Sequence, residues 1–149
     1  LAWTHADMQT DPNDVVRGWE MVKASRNPES IFLKGKRYGR PYSDSLFTIG
    51  MSIFETLILG KAMWDINAQP NIFPRKHFEQ WCSPPNDFSL DLYAYYQAKV
   101  NRLEIIRFPV LFGERAHGIS HWNVNFRAKF KFIVRTLEYS FNLRKQLFG

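Results

Sequence analysis

The chain has 149 residues, of which 45% are hydrophobic and 23% charged, a composition that excludes a disordered tail. With 20 Lys and Arg against 14 Asp and Glu, its formal charge is +6, which favours anionic partners such as phosphates. The single cysteine, Cys82, excludes an internal disulfide and points to a reducing compartment; no apolar run reaches the ~20 residues of a membrane-spanning helix.

Leu1 to Ala6 reads as a buried strand entered midway, as in a piece of a longer protein. Asp11-Pro12 opens a helix, with Asp11 as cap and Pro12 in the first turn. Val15, Val16, Trp19 and Val22 follow at helical spacing. Ser30 to Leu33 is a short strand, and Lys34-Gly35-Lys36-Arg37-Tyr38-Gly39-Arg40-Pro41 a basic, glycine-rich loop. A helix from Asp44 to Leu59, stopped by Gly60, is apolar almost all round, so it is sandwiched in protein or lies on lipid. Pro74 opens a helix to Cys82, and Phe88 to Val100 forms another. Leu103 to Phe112 is extended, and 113–121 is a polar loop. From Trp122 to Leu147 runs one long amphipathic helix. Its main stripe is Trp122, Phe126, Phe130, Ile133, Val134, Leu137 and Phe141; Phe132, Tyr139 and Leu143 make a smaller second face. Strands alternate with helices, so the class is α/β.

The charge is unevenly spread. Residues 99–149 hold 10 basic and 3 acidic side chains, while residues 1–98 hold 10 and 11. The basicity therefore belongs to the last third and to the cluster Lys34, Lys36, Arg37 and Arg40.

Asp7 follows an apolar strand and precedes a helix, which sets it at the carboxyl edge of a sheet, where open α/β folds bind ligands. A carboxylate there can hold a divalent metal that neutralises a diphosphate, with Gln9 and His5 adding ligands or touching a sugar. Asp11 is read as a helix cap. Trp64 and Trp81 are read as core or interface aromatics, and Asp91 as an intrahelical surface charge.

Asp7-Met8-Gln9-Thr10-Asp11-Pro12 resembles the D-x-D-x-Q-x-D-P signature of family 2 glycosyltransferases, most closely the dolichyl-phosphate mannose synthase, or polyprenyl-phosphate, branch. Three further segments stand in the order that branch has. Residues Lys34 to Pro41 resemble its acceptor loop. Trp64 to Arg75 resembles its R-D-T-x-S-G-F-R-A-F-x-R segment. Asp87 to Leu92, Pro109-Val110 and Glu114 to Ser120 resemble its helix, strand and phosphate-binding loop. The likeness covers nearly all of residues 1–121. His5 stands where the family's first carboxylate would be, and Gln69-Pro70 where it has Ser-Gly.

The resemblance implies the carboxyl-terminal half of a GT-A fold: a Rossmann-like mixed sheet flanked by helices, plus a long terminal amphipathic helix. It implies an acceptor- and metal-binding part over residues 1–121, with 122–149 as a basic helix at a membrane. The activity implied is inverting sugar transfer from a nucleotide sugar to a polyprenyl phosphate or glycan, at the cytoplasmic face of a membrane. Asp7 and Gln9 would bind Mg²⁺ or Mn²⁺. His5, Arg37, Arg40, Arg115, His117 and Ser120 would contact the donor and its phosphates. A lipid phosphate acceptor needs no base; for a hydroxyl acceptor the candidate base is Asp65, which otherwise caps a turn. The upstream part would carry the nucleotide's base, and a homo-oligomer is allowed. The competing readings are a basic nucleic-acid-binding module, disfavoured by the absence of a recognition motif, and a non-catalytic, glycosyltransferase-like interaction domain.

Overall fold

The computed structural model describes residues 1–7, 9–113 and 126–148. In chain order its elements are β1 (Ala2–Trp3), α1 (Asn13–Lys23), β2 (Ile31–Tyr38), α2 (Tyr42–Leu59), β3 (Asn71–Ile72), α3 (Arg75–Glu79), α4 (Leu90–Val100), β4 (Glu104–Leu111) and α5 (Phe126–Phe148). The strands form one mixed sheet in the order β1-β3-β2-β4. β3 is antiparallel to β1 and β2, and β2 is parallel to β4 from Ile31↔Glu104 to Tyr38↔Leu111. β1, β2 and β4 thus point one way and end at one edge.

Alternation along β2 builds two cores, because successive side chains leave a strand on opposite faces. Ile31 and Leu33 join Ile72, Phe108, Val110 and Val22 on one face, beneath α1. Phe32 points to the other, where it packs with Leu59 of α2, Leu92 to Tyr96 of α4 and Leu143 of α5. The sheet is flanked by helices on both sides, as expected for the α/β class.

Several elements depart from the sequence reading. The first strand is only two residues long, because its partner β3 offers only Asn71 and Ile72 to pair with; Leu1 and Ala2 are exposed. The basic segment is not a loop up to Tyr38: parallel pairing with β4 draws Lys34 to Tyr38 into β2, and only Gly39 to Pro41 turn. Lys34 is fully buried. Its Nζ donates to the carbonyls of Ile66 and Ala68 (2.6 Å for the second) and to Asn71 Oδ1 at 3.0 Å. Gly35 beside it allows the 66–70 loop to close in, since a Cβ there would lie 2.3 Å from the Gln69 carbonyl oxygen.

α1 docks through Asp14, Gly18 and Val22, with Val15 packed beside them, so two of the four apolar residues at helical spacing face the sheet while Val16 and Trp19 are exposed. A Cβ on Gly18 would stand 2.8 Å from Ile72 Cδ1, so the glycine lets helix and sheet approach. Asp11 does open this helix, accepting from the Asn13 N–H at 2.8 Å. α2 ends at Gly60, whose φ of 63° is the left-handed stop expected there.

α5 turns inward a line on which only Leu143 belongs to the smaller apolar face, and Ile133, Val134 and Leu137 of the main stripe are half-buried beside it. Thr136, Ser140 and Leu143 are buried, while Phe130 and Phe141 of the main stripe are 60% and 52% exposed. The helix packs on α2, with the Phe54 and Phe141 rings 6.1 Å apart and Arg144 donating to the Ile58 carbonyl at 2.6 Å. It shares the core of the preceding segment through Leu143. No helix among the described residues is long and apolar enough to cross a membrane.

Candidate functional site

The carboxyl ends of β1, β2 and β4 open onto one cleft of about 890 Å³, closed on its other side by α2, the start of α4 and Thr136 of α5. His5, Asp7 and Gln9 reach it from the segment after β1, Arg37 and Arg40 from the end of β2, and Phe112 and Gly113 from the end of β4. The sheet-edge position expected for Asp7 is therefore the position it has. Asp7 Oδ1 accepts from the Gln9 N–H at 3.3 Å. Gln9 and Gly113 then bond reciprocally: the Gly113 N–H donates to the Gln9 carbonyl at 2.8 Å and the Gln9 side-chain amide to the Gly113 carbonyl at 3.3 Å. These bonds tie the loop after β1 to the end of β4.

His5 stands half-buried with its ring edge-on to Phe112, 5.7 Å between centroids. Its Nε2 is buried without a hydrogen-bond partner among the described residues. Burial holds its pKa below the ordinary histidine value, with Asp91 and Asp7 pulling the other way.

Arg37 and Arg40 converge on Asp65. Arg37 donates through Nε, at 2.9 Å, and Nη2 to Asp65 Oδ1, and its backbone N–H to Oδ2 at 3.3 Å. Arg40 Nη2 lies 3.9 Å from the same carboxylate and Arg107 Nη2 lies 3.5 Å from it. Arg40 also donates to Thr48 Oγ1 at 2.9 Å, and the Phe112 ring lies 5.1 Å from the Arg37 guanidinium carbon and 6.0 Å from that of Arg40. Three guanidinium groups on one carboxylate leave an excess of two positive charges. The Nε of Arg40 is buried without a partner among the described residues, so the cluster suits an incoming anion.

That arrangement corrects the role expected of Asp65. A general base needs an accessible carboxylate with a pKa near the working pH. Asp65 is buried, is absent from the cleft lining, and is wrapped by arginines. Burial alone would raise its pKa, but Arg37, its hydrogen bonds and Arg40 outweigh this and hold the carboxyl below the usual carboxylate range. Asp65, with φ of 46° and its N–H on Ser52 Oγ at 3.1 Å, sets the arginines in place.

Asp91 is likewise no surface charge. Its Oδ1 accepts from Trp3 Nε1 at 2.9 Å and Asn71 Nδ2 at 2.8 Å, and its Oδ2 from Gln69 Nε2 at 2.8 Å, so it ties α4 to β1 and the 69–71 segment beside the cleft. Asp11 belongs to the helix start and does not line the cleft. Trp64 is 47% exposed, while Trp81 packs into the aromatic core. Arg115, His117 and Ser120 lie outside the described residues.

Two features of the site escaped the sequence reading. Arg107 is a lone cation inside an apolar strand; it donates to the Gly35 carbonyl at 2.8 Å and to that of Trp64. The second is a polar line on α2, Asp44, Thr48, Ser52 and Glu55, all lining the cleft. Its spacing of 4, 4 and 3 residues was visible in the sequence as a polar stripe on a helix dominated by apolar residues.

Among the described residues no cluster of three or more His, Cys, Asp or Glu side chains is arranged to hold a metal ion. A hard divalent cation that keeps its waters and leans on substrate phosphates requires only one or two carboxylates, and Asp7 with Gln9 beside it meets that sparser demand. Comparison of the chain with protein-family models, curated proteins and solved structures gives no match.

Proposed function

We propose that this chain forms the metal- and acceptor-side part of an inverting glycosyltransferase of GT-A type, moving a sugar from a nucleotide sugar to a polyprenyl phosphate or glycan. One observation carries the reading: Asp7, Gln9, His5, Arg37 and Arg40, distant in sequence, line one cleft at the carboxyl edge of the sheet. A carboxylate beside a cluster with excess positive charge suits a diphosphate and its counter-ion together. Mg²⁺ or Mn²⁺, when bound at Asp7 and Gln9, would offset phosphate charge and stabilise the departing diphosphate. Arg40, with its unpartnered Nε, donates to phosphate oxygens; Arg37, braced by Asp65, adds positive potential beside it. His5 offers a ring nitrogen to a donor hydroxyl. Phe112 packs against both guanidinium groups and shields them from water, which strengthens their pull on an anion.

The outer faces of α2 and α5 suit a membrane surface. Tyr42, Leu46, Ile49, Ile53 and Leu57 recur at helical spacing on α2 and are all exposed, and α5 adds exposed Phe130 and Phe141 with Arg127, Lys131, Arg144 and Lys145. Apolar side chains beside cations are the composition of a helix lying among anionic headgroups.

Calorimetric titration of the protein with pyrophosphate in the presence of Mn²⁺ tests the site, since the diphosphate is the part of the donor that these residues would hold. Binding is expected, weakened roughly tenfold or more (~1.4 kcal/mol per decade) in Asp7→Asn and in Arg40→Met. Failure of the unaltered protein to bind pyrophosphate would overturn the reading, and so would binding indifferent to both substitutions.

A further inference from the structure

The segment from Trp64 to Pro70 belongs to no helix or strand, yet it is fastened at almost every residue. Arg107 donates to the Trp64 carbonyl, and Asp65 is wrapped by arginines with its N–H on Ser52 Oγ. The Ala68 N–H closes a turn on the Asp65 carbonyl at 3.0 Å, and the Gly35 N–H donates to the Pro70 carbonyl at 3.0 Å. Gln69 Nε2 donates to Asp91 Oδ2 at 2.8 Å. Asn67, at the corner of the turn, has its backbone carbonyl against the His5 ring.

Lys34 supplies the central fastening. From within the sheet its Nζ donates to the carbonyls of Ile66 and Ala68, the residues on either side of Asn67. A fully buried amine is a costly way to hold a loop, because desolvation opposes it. Apolar packing would hold the segment without that cost, but it would not fix two carbonyls on one donor. The result is a rigid arch with Asn67 at its corner.

The Asn67 side chain is the exception to this fastening. It lines the cleft, half-buried between the buried Ile66 and Ala68. Its amide is neither closed off from solvent nor hydrogen-bonded among the described residues. An amide has a carbonyl that accepts and an NH₂ that donates, so it matches a pair of hydroxyls, each of which can do either. Phosphate oxygens go instead to the guanidinium groups, whose charge strengthens the bond. Two residues of chain span at most about 7 Å, which sets Asn67 beside the guanidinium groups gathered on Asp65. One molecule that carries hydroxyls next to a phosphate can therefore meet both.

We propose that Asn67 is a specificity-determining residue that reads ring hydroxyls of the transferred sugar. This rests on the glycosyltransferase reading above and narrows the donor to a sugar with free hydroxyls where Asn67 meets it. A rigidly presented amide separates epimers, because the wrong configuration leaves a donor or acceptor unmatched in the cleft. The arch is already ordered by Lys34, so little ordering opposes binding.

The probes are glucose 1-phosphate and its epimers mannose 1-phosphate and galactose 1-phosphate, each differing from it at one hydroxyl. They are titrated calorimetrically with Mn²⁺, with inorganic phosphate as reference. One hexose 1-phosphate is expected to bind ~10-fold more tightly than inorganic phosphate and than at least one of the other two. Asn67→Ala changes an accessible side chain and keeps every fastening of the arch. It is expected to weaken that binding ~10-fold, to bring the three hexose 1-phosphates within ~2-fold of one another, and to leave pyrophosphate binding unchanged. A preference that survives Asn67→Ala overturns the assignment while leaving the glycosyltransferase reading intact. Binding of all three no tighter than inorganic phosphate does the same. So does a dependence on Asn67 shown by UMP or GMP and by no hexose 1-phosphate, which would give the amide to the nucleoside. Absence of pyrophosphate binding in the unaltered protein removes the reading and this inference with it.

Discussion

Two buried carboxylates lie near one cleft in opposite surroundings. Asp65 has three arginines around it and is held ionised; Glu55 has one serine and is held close to neutrality. Nearly equal burial thus yields one acid fixed in its charge and one free to change it. The difference lies in the partners, since desolvation pushes both the same way. The first holds three guanidinium groups together, and the second has its protonation set by burial and one hydrogen bond.

The largest test of this contrast removes the fixed charge. Asp65→Ala leaves Arg37, Arg40 and Arg107 mutually repelling in a poorly solvated site, and a stability loss of about 3–5 kcal/mol in urea denaturation is expected. The pH signatures should also oppose one another. Asp65 has a lowered pKa, so its contribution is present above the ordinary carboxylate value of 3.8 and is lost as pH falls through its folded pKa. Glu55 has a raised one. Below pH 4.5 folded and unfolded chains are both protonated there; between 4.5 and about 7 the unfolded chain releases its proton first, so stability falls as pH rises. About 3 kcal/mol should be lost across that window, and urea midpoints of Glu55→Gln should lack this slope.

Smaller effects sharpen the contrast. Ser140→Ala should cost about 1 kcal/mol and leave Asp65-dependent behaviour untouched, a comparison made by thermal denaturation at pH 4 and pH 8. Replacing Leu46 and Leu57 on the outer face of α2 by Ser should change stability by only about 0.5 kcal/mol each, because both are exposed. The same pair should weaken flotation with phosphatidylglycerol vesicles; unchanged flotation would remove α2 from any lipid contact.

The sequence carried the class, the major helices and the paired placement of Asp7 and the basic segment, because these follow from local signals: helical spacing, Gly60, and a carboxylate after an apolar run. It misread whatever depends on distant partners. Lys34 looked like a loop cation because charge is local information, whereas its burial depends on carbonyls more than 30 residues away. Asp65 looked like a base because its three arginines come from two strands and a turn. Glu55 vanished within the apolar count of its own helix, although its spacing from Asp44, Thr48 and Ser52 was present. α5 docks through Thr136, Ser140 and Leu143, two of them polar and outside any apolar spacing, because Ser140 meets Glu55 and Arg144 the Ile58 carbonyl on α2.

Lys34 has a practical consequence. Burial lowers its pKa to about 7, while its three donated hydrogen bonds are those of an ammonium, and no part of it meets solvent. An acylating reagent can reach that amine only when the segment carrying Ile66 and Ala68 lifts from the sheet. The rate at which Lys34 is acylated, read by mass spectrometry against the exposed Lys36, would time that opening without an introduced label.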